Sequence, residues 1–252
     1  MKVSVLSSDS KGNTTYIETD NAKILIDIGN TSKYVKEKLE GYGVDPYDIN
    51  AILITHTHVD HIKGLKVFAK KYNVPVYFTK IMHETLDYID NFVYIDENEF
   101  DIKDIHVNTI KTSHDAPDSR GYIISNNDKT IVYITDTGYI NEKYFDVLKN
   151  RNVYIMESNH DVEMLTNGRY PFNLRQRILS DKGHLSNYDS SKYLSIFVGN
   201  KTKYIFLAHL SEENNTEELA YETLADKLNE DKKDVGNIIV AKQDKETDLI
   251  VI

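Results

Sequence analysis

Short apolar runs separated by polar turns dominate the first half of the chain. Runs of about four to eight residues, rich in β-branched side chains, are typical of buried strands. The pattern predicts strands at Val3–Leu6, Thr14–Thr19, Lys23–Ile28, Ala51–Thr55, Val74–Phe78, near Ile102–Thr112, at Gly121–Ser125 and at Thr130–Thr135.

Helical segments are interleaved with the strands and become more frequent in the second half. A predicted helix over Thr31–Glu40 has a capping hydroxyl at Thr31 or Ser32 and a stop signal at Gly41. This alternation predicts an α/β protein in which two sheets lie between helical layers. The remaining predicted elements are helices at Ile62–Tyr72, Arg175–Leu179, Asp189–Val198 and Thr216–Asn229, and buried strands at Val153–Met156 and Tyr204–Ala208.

The length and composition favour one folded domain. With 252 residues the chain can bury one sizeable core, so residues 1–252 are predicted to form a single domain. Hydrophobic residues make up 40% of the chain and charged residues 28%, a balance that argues against disorder. The N-terminal segment lacks the apolar stretch of a signal peptide or a membrane span, so we expect a cytoplasmic protein without a membrane partner.

Cysteine content and net charge limit the chemistry. The chain has no cysteine, so any metal ion must be bound by imidazoles and carboxylates rather than by thiolates. The formal net charge of −10 by itself disfavours a polyanionic partner such as nucleic acid. Bound divalent cations would offset this objection, because the local field matters more than net charge for a substrate held in a cleft.

The densest chemical signal follows the predicted strand Ala51–Thr55 directly. In an extended chain, side chains two residues apart point to the same side, so His56 and His58 can bind one metal ion. Asp60 and His61 fall where the chain turns into the next helix and would point towards a second ion. Clustered imidazoles bring no packing advantage, so a metal site explains this segment better than ordinary polar residues at a strand end do. The segment reads His56-Thr57-His58-Val59-Asp60-His61.

This segment resembles the metal-binding signature of the metallo-β-lactamase superfamily, whose other motifs follow in order along the chain. The resemblance implies a four-layer αβ/βα sandwich. Asp27 matches the aspartate that orients a ligand histidine without binding metal itself. The nitrogen and oxygen ligands suit two ions of Zn²⁺, Mn²⁺ or Fe²⁺, and the sequence does not choose among these metals. The implied ligands are His56, His58 and His114 for one ion, Asp60, His61 and His209 for the other, and Asp136 as the bridge.

The resemblance also implies a reaction. Two neighbouring divalent ions share one water and lower its pKa, so that a bridging hydroxide attacks a carbonyl carbon or a phosphorus. An aspartate at the bridging position, here Asp136, favours phosphorus, although thioesterases and glyoxalases of this fold have it as well. Asp60 is expected to be essential for this chemistry.

A second pair of residues narrows the activity. Glu157 and His184 resemble the pair with which transfer-RNA 3′-processing nucleases of the superfamily protonate the leaving oxygen, so both are predicted to be catalytic. The alternative for this pair is a buried polar bridge between two loops. Four longer segments resemble the YycJ/WalJ-like group of the superfamily, which implies a DNA exonuclease acting from the 5′ end. These segments are Ser8–Asn13, Ser113–Ala116, Glu157–Asp161 and Gly183–Asn187.

The few arginines are concentrated between Glu157 and His184. A guanidinium group suits bidentate phosphate contact better than an ammonium group does. A basic ridge that binds the DNA backbone is therefore predicted, with an ordinary solvated helix face as an equal alternative. The residues of this basic ridge are Arg169, Arg175, Arg177 and Lys182.

Two other functions stay open at this point. A small-molecule hydrolase of the same fold, acting on a thioester, a lactone or a cyclic nucleotide, would suit the acidic net charge. A metal-storing or non-catalytic binding module is disfavoured by the presence of Glu157 and His184. The chain is short for a nuclease of this superfamily, so a processive grip on a polymer would require a homo-oligomer or a partner protein.

Overall fold

The strands form two sheets that pack face to face. The computed structural model describes residues 1–242 and 245–252, and in this part of the chain each sheet has seven strands. In chain order the strands are β1 (Lys2–Ser7), β2 (Thr14–Glu18), β3 (Lys23–Ile26), β4 (Ala51–Leu53), β5 (Val76–Phe78), β6 (Phe92–Tyr94), β7 (Glu99–Ile102), β8 (Ile105–Lys111), β9 (Arg120–Asn126), β10 (Lys129–Ile134), β11 (Val153–Glu157), β12 (Tyr204–Ala208), β13 (Asn237–Val240) and β14 (Ile250–Val251).

Helices cover the outer face of each sheet and complete the four-layer αβ/βα sandwich that the sequence predicts. The first sheet has the strand order β14-β1-β2-β3-β4-β5-β6, and the second has the order β13-β12-β11-β10-β9-β8-β7. The helices are α1 (Ser32–Gly41), α2 (Val59–Ile62), α3 (Leu65–Tyr72), α4 (Phe145–Leu148), α5 (Val162–Asn167), α6 (Phe172–Ile178), α7 (Asn187–Phe197) and α8 (Glu217–Glu230). Side chains of α1 and α3 pack on the first sheet, and those of α4, α7 and α8 pack on the second.

The main apolar core lies between the two sheets. Ile24 and Leu53 from the first sheet meet Tyr122, Ile155 and Phe206 from the second, and all five are fully buried. Burial of each aliphatic or aromatic side chain of this kind contributes about 1.5–3 kcal/mol. The inter-sheet core therefore holds the two sheets in a fixed relation to each other.

Parallel strand pairs bring several strand ends to one edge of the sandwich. β3 runs parallel to β4 in the first sheet, and β10, β11 and β12 run parallel to one another in the second. In sheets of this kind, ligands bind in the crevice outside the carboxyl ends of the strands. The polar residues that follow these five strands are consequently placed to form a site.

The predicted helix Ile62–Tyr72 is wrong as a single element. The chain forms two helices there, α2 and α3, which are separated at Lys63 and Gly64. A Cβ atom at Gly64 would lie 2.1 Å from the carbonyl oxygen of Asn30, so the backbone makes a close approach that only glycine allows. Tertiary contact, rather than the local pattern, therefore interrupts the helix.

The remaining differences concern short elements. The strand predicted near Ile102–Thr112 is a hairpin of β7 and β8, and α6 begins earlier than the predicted helix Arg175–Leu179. Strands β6, β13 and β14 and helices α4 and α5 were not predicted. No helix within residues 1–242 and 245–252 combines the length and the apolar character needed to cross a bilayer.

Candidate metal centre

The candidate ligands and their supporting residues lie at the carboxyl ends of the parallel strands. Asp27 directly follows β3, Asp136 lies just beyond β10, Glu157 ends β11, and His209 directly follows β12. His56 lies shortly after the end of β4, where the chain enters the loop before α2. Both sheets thus contribute to one cluster at the common edge.

Three of these positions have an unusual backbone conformation. The φ angles of Asp27, Asp136 and His209 are 59°, 54° and 57°. Residues other than glycine rarely adopt positive φ, at a cost of about 1–3 kcal/mol each, and such strain is concentrated at functional sites. Each of these residues turns the chain sharply where its strand ends.

The predicted ligands form two neighbouring groups. Within each group, one ligand atom from every residue lies within 4.8 Å of the others. The first group contains imidazoles only, whereas the second combines imidazoles with a carboxylate. The first group is His56, His58 and His114, and the second is Asp60, His61 and His209.

Asp136 lies between the two groups. Its carboxylate oxygens are 3.2 Å from Nε2 of His61 and 3.4 Å from Nε2 of His209 in the second group. The same carboxylate is 3.8 Å from Nε2 of His114 in the first group. A single buried carboxylate therefore faces histidines from both groups, as a bridging ligand must.

Several atoms in this cluster are suited to a cation and are not hydrogen-bonded within the described part of the chain. Nε2 of His56, Oδ2 of Asp136 and Nε2 of His209 are buried and make no hydrogen bond to any described residue. An unpaired buried polar atom costs about 1–3 kcal/mol, so such atoms need an explanation. Nitrogen and oxygen donors arranged in this way fit a divalent metal ion.

The electrostatics of the two groups differ. Burial, reinforced by the neighbouring His61, lowers the pKa of His56 well below its usual value, and burial also lowers the pKa of His114. Burial also opposes the charged form of His61, but the carboxylates of Asp136 and Asp27 outweigh it and raise the His61 pKa well above its usual value. In the first group, neutral imidazoles offer free nitrogen lone pairs to a metal ion. In the second group, the negative charge of the carboxylates attracts a cation.

Asp27 holds one ligand histidine in place. Its carboxylate is fully buried, and Oδ2 lies 2.7 Å from Nδ1 of His61. The backbone N–H and the hydroxyl of Thr55 donate to the same carboxylate over 2.8 and 2.7 Å. With Nδ1 engaged in this way, Nε2 of His61 is the ring nitrogen left for a metal ion.

Glu157 joins the ligand cluster to His184. Oε1 lies 2.8 Å from Nδ1 of His184 and 2.9 Å from Nδ1 of the candidate ligand His209. Oε2 accepts hydrogen bonds from the backbone N–H groups of Thr137 and Leu185. Burial alone would raise the pKa of Glu157, but His184 and His209 lower it to about 2, so the side chain is a carboxylate. The contact with His209 was missed at the sequence level, because the two residues are far apart along the chain.

The basic ridge is only partly assembled at the site. Arg175 hydrogen-bonds to the carbonyl oxygen of Thr166 in α5, so part of its guanidinium is already engaged by the protein. Arg169 and Lys182 are exposed to solvent. Arg177, two residues further along α6, is the member of the ridge that contacts the cluster through Asp115.

Asp115 was missed as a functional residue and connects Arg177 to the first ligand group. Its Oδ2 is 2.5 Å from Nε of Arg177, and its Oδ1 is 3.6 Å from Nε2 of His58 and 3.5 Å from Nε2 of His114. The hydrogen bond from Arg177 lowers the pKa of Asp115 below its usual value. Its position directly after His114 was the available signal.

The first loop of the chain also supports the cluster. Nδ2 of Asn13 donates to Oδ2 of Asp60 over 3.2 Å, and the backbone N–H of His209 donates to Oγ of Ser8 over 2.7 Å. The segment Ser8–Asn13 contributed to the resemblance, but its contacts could not be derived from the sequence. The loop therefore positions candidate ligands from both sheets.

Comparisons with known proteins agree with this geometry. The sequence profile of the Beta-lactamase superfamily domain matches residues 23–209. The chain is 40% identical over 240 residues to the exodeoxyribonuclease YycJ of Bacillus anthracis, covering 92% of this chain and 91% of that protein. It is 39% identical over 247 residues to the exodeoxyribonuclease WalJ of Streptococcus pneumoniae, covering 93% of this chain and 91% of the relative.

The fold itself is also found in a solved structure. The metallo-β-lactamase fold protein YhfI from Bacillus subtilis superposes with a TM-score of 0.74 over 98% of both chains, at 16% sequence identity. At that identity the similarity concerns the fold alone.

Proposed function

Because the chain belongs to the β-lactamase superfamily, we propose that it is a metal-dependent exodeoxyribonuclease that hydrolyses DNA from the 5′ end. The fold and the cluster of histidines and aspartates are those of a metal-dependent hydrolase. The specific activity is proposed from the relatives named exodeoxyribonucleases, which the chain matches over most of its length.

The hydrogen bond between Glu157 and His184 carries the proposal. Nδ1 of His184 is 2.8 Å from Glu157 and 3.7 Å from Oδ1 of Asp136, so the ring lies beside the candidate metal centre. Hydrolysis of a DNA phosphodiester expels an alkoxide, which needs a proton. A small-molecule thioester expels a thiolate, which does not depend on such a donor. A histidine held beside the ligands therefore favours the phosphodiester over a thioester.

We assign two divalent ions of Zn²⁺, Mn²⁺ or Fe²⁺ to the centre. One would be held by the first ligand group and one by the second, and Asp136 would bridge them. When bound, such ions lower the pKa of a water between them and offset the charge on the phosphate oxygens. The residues of the proposed centre are His56, His58, Asp60, His61, His114, Asp136 and His209.

The remaining steps belong to the side chains of the chain itself. Asp27 keeps Nε2 of His61 directed at the centre, and Glu157 does the same for His209. Glu157 also accepts from Nδ1 of His184, so Nε2 of His184 is the nitrogen from which the leaving oxygen takes its proton. Catalysis is thus assigned to Asp60, Glu157 and His184.

The same assignment leads to proposals about the DNA contacts, the cellular location and the assembly of the protein. The basic ridge contacts the DNA backbone, with Arg177 nearest to the cluster and Arg169, Arg175 and Lys182 further out. We propose further that the protein works in the cytoplasm and that a homo-oligomer supplies the grip on the polymer. We also propose that residues 1–252 form a single domain, and the pairing of β14 with β1 supports this.

An assay with several substrates tests the proposed function. Purified protein with Mn²⁺ or Zn²⁺ is offered DNA and RNA, single-stranded and duplex, labelled at either end, together with a generic thioester. We expect release of nucleotides from the 5′ end of DNA. Turnover of the thioester without loss of DNA would instead identify a small-molecule hydrolase.

A further inference from the structure

A cavity of about 560 Å³ lies on the outer face of the second sheet, away from the ligand cluster. Strands β8 and β9 form its floor, with Asn108 and Ser125 among the lining residues, and the segment around α4 forms its wall. We propose that this cavity, with Lys111, Lys143, Tyr144 and Arg151, is a lateral groove that binds the sugar–phosphate backbone of a DNA strand. The inference rests on the proposed function, because it extends the substrate path of the same site.

The lining of the lateral groove is basic in a protein that is acidic overall. Lys111, Lys143 and Arg151 line it and no carboxylate does, although the net charge of the chain is −10. Lys111 pairs with Asp118 at 3.1 Å, whereas neither Lys143 nor Arg151 forms an ion pair with any described residue. Two unneutralised cations facing one cavity favour a polyanion, because the phosphate backbone supplies most of the affinity in nucleic-acid binding.

Neighbouring contacts hold both unpaired cations in place. Nζ of Lys143 lies over the ring of Tyr144, 4.8 Å from its centroid, and the Tyr144 hydroxyl accepts from the backbone N–H of Lys111 over 3.1 Å. Nε of Arg151 donates to the carbonyl oxygen of Val147 over 2.8 Å. That contact leaves the two terminal nitrogens of Arg151 for a forked phosphate contact. The groove is therefore preorganised to receive phosphates.

The lateral groove continues towards the ligand cluster. A second cavity of about 210 Å³ shares Lys111, Lys143 and Tyr144 with it and reaches Ser113, directly before His114. The backbone N–H of Gly138, two residues after Asp136, donates to the carbonyl oxygen of Ser113. The two cavities thus adjoin along shared lining residues and form a trough that reaches the residue before His114. An extended strand fits such a trough better than a free nucleotide does.

Charge reversal tests the lateral groove directly. The variant Lys143→Glu/Arg151→Glu is compared with Lys33→Glu/Lys71→Glu, which changes net charge equally on helices α1 and α3 of the opposite layer. Binding of a phosphorothioate-protected DNA strand to the metal-loaded protein is measured by fluorescence anisotropy at several salt concentrations. Hydrolysis of bis(p-nitrophenyl) phosphate, which is too small to occupy the groove, is measured in parallel.

We expect the groove variant to bind DNA at least about tenfold more weakly and to lose roughly two units from the slope of log K against log salt concentration. The control variant should stay close to the unaltered protein, and both should hydrolyse the small diester normally. Equal DNA affinity of the groove and control variants would overturn the inference while leaving the proposed nuclease intact. A mononucleotide that binds only when the groove is intact, with unchanged DNA affinity, would overturn it too. If the protein binds DNA through the groove but cleaves none, the proposed function fails and the groove stands.

Discussion

Nδ1 of His184 lies 2.8 Å from Oε1 of the buried Glu157, and the same oxygen is 2.9 Å from the candidate metal ligand His209. One carboxylate therefore serves two histidines with different tasks. His209 belongs to the ligand cluster, whereas His184 stands at its rim with 17% of its side chain exposed, where a substrate can reach it. Substitution of His184 and substitution of His209 should therefore have different effects.

Replacement of His184 by alanine should slow DNA cleavage by about 10²–10⁴-fold, the usual contribution of a general acid, without loss of metal. Cleavage of bis(p-nitrophenyl) phosphate should fall much less, because its leaving group needs no proton. Steady-state kinetics on both substrates, with metal content from elemental analysis, make the comparison. His106→Ala is the control, since His106 lies on β8 and pairs with Asp101 on β7. Equal losses on the two substrates would remove His184 from the proton-transfer step.

Glu157→Gln should impair both tasks at once. The glutamine amide is neutral, and its NH2 group would face the backbone N–H donors of Thr137 and Leu185 from which Oε2 now accepts. Both histidines would lose their charged partner, so metal affinity should fall along with turnover. Titration with a competing chelator measures the metal affinity, and excess metal should restore the activity only in part. A variant that loses turnover with unaltered metal affinity would show that Glu157 supports His184 alone.

Asp27→Asn should weaken metal binding by about 10–100-fold, because the carboxylate that fixes Nδ1 of His61 is replaced by a neutral group. DNA cleavage should recover at high metal concentration, since Asp27 does not contact the substrate. Asp60→Ala and Asp136→Ala, by contrast, remove proposed ligands and should abolish activity at any metal concentration. Recovery of Asp136→Ala by added metal would argue against its bridging role.

The two arginines of α6 should differ in importance. Arg177 bonds to Asp115 beside the ligand cluster, whereas Arg175 bonds to the backbone carbonyl of Thr166 in α5. Arg177→Ala is therefore expected to raise KM for DNA more than Arg175→Ala does, with little change in metal content. If neither variant changes KM for DNA, these arginines form an ordinary solvated helix face instead of a basic ridge.

Two glycines test the account of the fold. A Cβ at Gly64 would lie 2.1 Å from the carbonyl oxygen of Asn30, whereas a Cβ at Gly41 in α1 would meet nothing within 4 Å. Gly64→Ala should destabilise the protein by about 1–3 kcal/mol, as overpacking does. Gly41→Ala should stabilise it by up to about 1 kcal/mol through helix propensity. Urea denaturation measures both, and a neutral Gly64→Ala would contradict the proposed cause of the helix break.

The long, buried elements and the segment from His56 to His61 could be predicted from the sequence for a physical reason, whereas His114, Asp136 and His209 followed from the family resemblance. Strands such as β10 and β12 have continuous apolar runs, and the six residues from His56 to His61 have no structural explanation other than a site. The short strands β6, β13 and β14 were not predicted, although β13 and β14 are rich in β-branched residues. Runs this short do not by themselves distinguish a strand from other buried segments. The same limit applies to Asp115 and to the second contact of Glu157, which depend on how distant segments pack.

Crystals grown with Mn²⁺ and measured for anomalous scattering test the central claim most directly. Two peaks should appear, one among His56, His58 and His114 and the other among Asp60, His61 and His209, with Asp136 between them. Crystals of Asp136→Asn grown in the same way should lose at least one of the peaks. An unaltered protein that shows no peak in either group at saturating Mn²⁺ or Zn²⁺ would contradict the assignment of a metal-dependent nuclease.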